Sequence, residues 1–143
     1  MRTRVVAAVI RREGRVLVAR RPEGKRHAGL WEFPGGKVGD GESVAEALAR
    51  ELQEELGVEL ASHGPEIFAF PDPGSEYFIH FHAARIVGSP RAIDHVEIRW
   101  CDGESLTRLE MAPADTRFAR LLALELSPEG GRGGDVAGAE DDS

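Results

Sequence analysis

GKVGDGESVAEALARELQEELGV, residues Gly36 to Val58, is the stretch from which the fold and chemistry of this chain are read. It sets Gly36, Glu42, Arg50, Glu51, Glu54, Glu55 and Gly57 at fixed spacings, with apolar Leu52 and Val58 between and after them. The glycines at its start predict a loop, and the run from Val44 predicts a short helix. Ser43 is placed to cap that helix, and Glu46 completes a capping box. Gly57 is placed to end it in the left-handed conformation. With Val44 as zero, Leu48, Leu52, Ala45, Leu56 and Ala49 fall between about 40° and about 140° around the helix, an apolar stripe. Glu51 and Glu55 fall near about −20° and about +20°, and Glu54 near about −80°, so they border that stripe on one flank. Arg50 falls beside Glu54 and can orient it. Three like charges one turn apart oppose one another by on the order of tenths of a kcal/mol per pair. A structural helix has no need of that arrangement, and a cation relieves it. All-oxygen ligands favour Mg²⁺ or Mn²⁺.

The same letters match G-x5-E-x7-R-E-U-x-E-E-x-G-U, U being aliphatic, which is the Nudix box. Seven specified letters at background usage arise by chance about once in 10⁸ start positions. The chain therefore resembles the Nudix hydrolases over about Arg4 to Leu126, which implies an α/β fold, the family's α/β/α sandwich with a mixed β-sheet. By that resemblance Glu51, Glu54 and Glu55 bind the divalent metal and the Gly36 carbonyl adds a ligand. Which glutamate, if any, takes the proton from the attacking water varies between branches of the family. Glu42 is open between two roles, a partner for Arg50 and a helix cap. A further acidic ligand often follows the box, and the segment Asp94-His95-Val96-Glu97 matches that region. Asp94 is the first candidate and Glu97 the second, although each alone reads as a surface carboxylate.

The composition bounds the remainder. A chain of 143 residues suits one domain. Its apolar runs are too short to span a bilayer, and no secretory leader is recognisable, so a cytoplasmic protein is expected. The single Cys101 cannot form an internal disulfide, which fits a reducing compartment. The net charge is −7. From Ser127 onward five acids face one arginine, a net of −4 that leaves −3 for the rest. That balance argues against a nucleic-acid groove, which needs a basic stripe. Residues 127–143, acidic and rich in glycine, read as a disordered tail after a domain over 1–126. Either a monomer or a homodimer is compatible with the sequence.

Along the domain, Val5–Ile10 and Val16–Val18 read as a hairpin about the turn Arg12-Glu13-Gly14. Arg20–Gly29 reads as a basic loop and Trp31–Phe33 as a short extended piece. Ile67–Phe70, Tyr77–Val87 and Val96–Cys101 read as strands. Pro113–Leu126 reads as a second helix with Phe118, Leu121, Leu122 and Leu126 on its apolar face.

The substrate is read outside the box. Arg21, in Arg20-Arg21-Pro22, suits bidentate contact with phosphate, and the resemblance places it there; Lys37 is a second candidate. The lead-in Gly29–Val38 and the stretch Met111–Asp115 resemble the MutT-like and CTP pyrophosphohydrolase-like branches. In those branches the residue at Asp115 reads the base edge. An ionised Asp only accepts, which suits an amino group or the N7–H of oxidised guanine and disfavours ordinary guanine unless the carboxyl is protonated. Asp115 also suits a helix cap near Pro113. Alternation puts Phe78, His80 and His82 on one strand face and Tyr77, Ile79 and Phe81 on the other; either face could stack on a base, and Phe78 and His82 are the candidates from the first. The expectation is a Mg²⁺-dependent nucleoside triphosphate pyrophosphohydrolase that yields a nucleoside monophosphate and pyrophosphate. Its substrate would be an oxidised nucleotide such as 8-oxo-dGTP, or a cytidine nucleotide. The rivals are a hydrolase of another nucleoside diphosphate derivative, such as a dinucleoside polyphosphate or nucleotide sugar, and a non-catalytic binding module.

Overall fold

The structure, a computed structural model, describes residues 3–126; the tail expected at 127–143 lies outside the described residues. The elements in chain order are β1 (Thr3–Val9), β2 (Arg11–Arg12), β3 (Arg15–Arg20), β4 (Trp31–Glu32), β5 (Gly35–Lys37), α1 (Val44–Leu56), β6 (Glu59–Pro71), β7 (Tyr77–Val87), β8 (Glu97–Cys101), α2 (Gly103–Arg108) and α3 (Pro113–Glu125). One sheet runs β5-β1-β7-β6 and is mixed, since β1 lies parallel to β7 and antiparallel to β5. The other is antiparallel, with β3 flanked by β4 and β8 and hairpinned to β2.

Alternation along β1 divides the core. Val6, Ala8 and Ile10 pack with Leu48, Leu52 and Leu56 of α1. Ala7 and Val9 pack with Phe33, Phe81, Phe118 and Leu122, beneath α2 and α3. Helices thus cover the strands from both sides, the α/β/α sandwich that the sequence implied. Phe33, Phe81 and Phe118 meet at ring separations of 5.8, 5.4 and 4.3 Å, and burial of such rings supplies much of the drive to fold. Among the described residues no helix is long and apolar enough to cross a membrane.

Several local expectations need correction. The Arg12–Gly14 turn forms, yet β1 and β3 belong to different sheets, because the chain leaves the first sheet at Ile10 and re-pairs as β2 with β3. The strand expected at Ile67 begins at Glu59. Its polar first half is held by pairing with β7 through three register shifts, which a pattern of apolar residues does not reveal. Helix α2 was missed because it is six residues long and opens on Gly103; the Asp102 side chain caps it by accepting from the Ser105 amide. On α3, Leu121 is exposed, and the buried face is completed instead by Ala114, Asp115 and Ala119. Cys101 is fully buried, and burial raises its thiol pKa.

Candidate active site

Helix α1 forms as its letters predict. Ser43 accepts from the Glu46 amide, the Glu46 side chain accepts from the Ser43 amide, and Gly57 ends the helix at φ 70°. Its buried residues are Ala47, Leu48, Leu52 and Leu56, whereas Ala49 is exposed. The stripe is therefore rotated toward Ala47, which leaves Glu51 and Glu55 half-buried at its edge. Glu54 remains exposed.

That rotation sets the electrostatics. Glu55 is pushed up to about 9, first by burial and then by the charges of Glu32 and Glu51. Its carboxyl accepts the Gly35 amide at 3.2 Å and shares a hydrogen bond with Glu51. Burial also raises Glu51, opposed by its bond with Arg50. Glu51 lies directly on Gly36, where any Cβ would collide with the carboxylate. A Cβ at Gly36 would push the Glu51 carboxyl out of its place over β5.

Arg50 is the hub of the outer side. Nε and Nη2 grip Glu42 at 2.7 and 2.9 Å, Nη1 reaches Glu51 at 2.9 Å and Glu54 at 3.5 Å, and Nη2 donates to the Lys37 carbonyl at 2.9 Å. Glu42 is thus the partner of Arg50, which holds its carboxyl down at about 2; the capping is done by Ser43 and Glu46. Arg50 is itself raised by the same contacts.

Among the described residues, no three carboxylate, histidine or cysteine groups already converge closely enough to hold a metal ion. The donor set nonetheless fits one chemically. Two half-buried carboxyls against a third charge, with the Glu55 pKa pushed up in the absence of a cation, are the surroundings a hard divalent ion relieves. Asp94 is exposed, and the segment before it docks on the end of α1, where the Arg91 and Ile93 amides donate to the Leu56 and Glu55 carbonyls. Glu97 pairs with Arg99 at 3.0 Å.

Across the first sheet, β4 and α3 build a second cluster. Trp31 donates to the Glu110 carbonyl and accepts from the Ala112 amide, which docks the start of α3 beside β4. Asp115 is carried inward, 6% exposed, and its Oδ1 accepts the Phe33 amide at 2.9 Å. The N-cap of α3 is Ala112, without a side-chain bond, so the capping role expected for Asp115 is not the observed one. Burial above all, then the charge of Glu32, raises the Asp115 carboxyl well above its ordinary value, against the pull of the Phe33 amide.

The register decides which face of β7 meets this cluster. Gly36, Val6 and His80 lie in one row beneath α1, and Ala8 pairs with His82. Phe78, His80 and His82 therefore face α1, the side of the sheet opposite Ala7 and Phe81, which settles the face that alternation left open. His80 instead bonds Glu66 at 2.6 Å. Tyr77 takes the position facing the Asp115 side, with Lys37 Nζ 5.3 Å and Arg26 Cζ 5.8 Å from its ring. Arg26 also pairs with buried Asp72 at 3.2 Å, and Arg117 lies 4.2 Å over Phe70. Arg21 is partly engaged within the protein. Its Nη1 bonds both oxygens of Glu32 at 3.0 Å and its Nε donates to the Arg26 carbonyl at 2.5 Å. Glu32 and His95, which bonds Glu32 at 2.8 Å, were not singled out from the sequence; the Trp-Glu-Phe lead-in held the signal for the first.

Comparison with known proteins agrees with this arrangement. The family model described as the NUDIX domain matches residues 1–122. A CTP pyrophosphohydrolase of Escherichia coli is 44% identical over 120 residues, covering 78% of this chain and 84% of that protein. An 8-oxo-dGTP diphosphatase of Haemophilus influenzae is 35% identical over 124 residues, covering 85% and 91%. The crystal structure of a MutT Nudix hydrolase from Burkholderia pseudomallei superposes with a TM-score of 0.72 at 29% identity, covering 83% of this chain and 95% of that one. The box, the carboxylate helix laid on Gly36 and these likenesses make the chain a member of the Nudix family.

Proposed function

We propose that this chain is a nucleoside triphosphate pyrophosphohydrolase that converts its substrate and water to a nucleoside monophosphate and pyrophosphate. The observation that carries the reading is the joining of two acid clusters by one short segment: the Phe33 amide bonds buried Asp115, and the Gly35 amide bonds half-buried Glu55, which neighbours Glu51. Glu51, Glu54, Glu55 and the Gly36 carbonyl would hold Mg²⁺ or Mn²⁺, with Asp94 as a further ligand. When bound, such an ion screens polyphosphate charge and acidifies a water molecule. Arg50 orients Glu51 and Glu54 while Glu42 holds Arg50 in place. Glu55 would bind such an ion in its ionised form. Lys37 and Arg26 supply positive charge on the Tyr77 side of the sheet. The activities named for the Escherichia coli and Haemophilus influenzae relatives support the same reaction class.

Asp115 accounts for the base. A neutral carboxyl presents a donor and an acceptor side by side, and Oδ1 keeps a second lone pair while accepting from Phe33. Cytosine offers the complement through its 4-amino group and N3, and oxidised guanine through N7–H and O6. Ordinary guanine has acceptors at both N7 and O6 and matches only the donor. The test is kcat/KM for CTP, dCTP, 8-oxo-dGTP and dGTP, with Mg²⁺. At least one of the first three should exceed dGTP by about tenfold or more. A dGTP value equal to or above all of them would overturn the base assignment.

A further inference from the structure

We propose that Glu32 is the sugar-binding group of this site and that His95 is the residue that positions it, a proposal that rests on the nucleotide reading above. Three observations lead to it. First, Glu32 is clamped. Arg21 Nη1 bonds Oε1 and Oε2, each at 3.0 Å, and His95 Nε2 bonds Oε2 at 2.8 Å. A carboxylate has no proton to give, so Nε2 is the donor. Second, the His95 side chain is 3% exposed and its Nδ1 is buried without a partner. Burying an imidazole with one nitrogen unsatisfied costs stability, so packing alone would favour an apolar residue at this position. Third, Glu32 lies between the two halves of the site: the amide of the next residue, Phe33, bonds Asp115 at 2.9 Å, and the Gly35 amide bonds Glu55 at 3.2 Å.

The order of parts in a nucleotide does the rest. Its phosphates belong with the carboxylates of α1 and its base with Asp115. The group between those anchors meets the sugar. A carboxylate has about four lone-pair directions, and the three bonds from Arg21 and His95 leave one on Oε1. A ribose hydroxyl is a donor of the right kind for it. The clamp fixes the Glu32 rotamer, so little side-chain freedom is lost on binding. Arg21 then acts through Glu32 rather than on a phosphate.

The experiment measures kcat and KM for CTP, dCTP and 2′,3′-dideoxy-CTP with the wild type, Glu32→Ala, Glu32→Gln, His95→Ala and His95→Gln. The wild type should lose about tenfold or more in kcat/KM, mostly through KM, when the recognised hydroxyl is removed. Glu32→Ala should treat the three substrates within about twofold of one another, and His95→Ala should lose most of the discrimination. His95→Gln, which keeps a donor of similar reach, should regain it, whereas Glu32→Gln should lose most of it, because its amide nitrogen faces the Arg21 Nη1 donor in either orientation. A His95→Ala that lowers all three substrates equally would show a structural role only and overturn the positioning claim. Wild-type discrimination retained in Glu32→Ala, or a wild type indifferent to the sugar, would overturn the sugar assignment while leaving the reaction intact. Should Glu32→Ala not fold, Glu32→Gln and the His95 pair carry the same comparison. A wild type that hydrolyses no nucleoside triphosphate would overturn the nucleotide reading, and this inference with it.

Discussion

The Asp115 carboxyl accepts the Phe33 amide hydrogen across 2.9 Å, at a point where the chain leaves β4 and α3 begins to cover it. One bond thus fixes both the depth of a buried acid and the path of the strand. Burial raises its pKa and so favours the neutral form, for which Asn is the near equivalent. Asp115→Asn should keep kcat/KM for the preferred nucleotide within about tenfold. Asp115→Ala should lose about tenfold to a hundredfold and lower stability by about 1–3 kcal/mol, because the Phe33 amide is left buried without a partner. Steady-state kinetics with chemical denaturation check both.

Glu54 is exposed and makes one long contact with Arg50, at 3.5 Å. Glu54→Gln should therefore leave stability within about 0.5 kcal/mol of the wild type, as exposed substitutions do. Turnover should fall by about a hundredfold or more with loss of a charged oxygen from the metal set. Near-wild-type turnover in that variant would sink the metal assignment; the assay is initial rate against Mg²⁺ concentration.

Glu55 gives the protein a pH signature in the absence of metal. Its folded pKa, about 9, stands above the ordinary 4.5, so between those values the folded state holds a proton that the unfolded state has lost. Stability from this site is present at low pH and falls as pH rises from about 5 to about 9, by at most about 1.4 kcal/mol per unit. Glu55→Gln should flatten the slope and be the more stable protein at pH 8 in chelator. Urea midpoints of both proteins from pH 5 to 9 test this, and a wild type that gains stability relative to the variant as pH rises would contradict it.

Arg50 holds Glu42 through two nitrogens and Glu51 through a third, a forked geometry that an ammonium cannot copy. Arg50→Lys should lower kcat by about tenfold to a hundredfold while KM changes less, since the acids it orients are misplaced rather than removed. A KM effect larger than the kcat effect would point to direct substrate contact instead.

How far these features were legible in the sequence differs by residue. The capping pair Ser43 and Glu46, the Gly57 stop and the pairing of Arg50 with Glu42 are local, and local chemistry is written in spacing. The wheel put Glu51 and Glu55 at the edge of the buried stripe, but an ideal wheel cannot tell that Ala47 rather than Ala49 meets the sheet. Alternation grouped Phe78 with His82 correctly but could not say which face meets the site. That is fixed by the row Gly36, Val6, His80, a long-range register. Glu32 and His95 are 63 positions apart and meet only after β3 has paired with both β4 and β8.

The central claim is metal-assisted attack of water on the β-phosphorus of a nucleoside triphosphate. Hydrolysis of CTP and 8-oxo-dGTP in ¹⁸O-labelled water, followed by mass analysis of both products, tests it most directly. The account predicts Mg²⁺-dependent release of nucleoside monophosphate and pyrophosphate, with the label in pyrophosphate. Release of inorganic phosphate with nucleoside diphosphate, label in the monophosphate, or no hydrolysis of either substrate with Mg²⁺ or Mn²⁺ would contradict it.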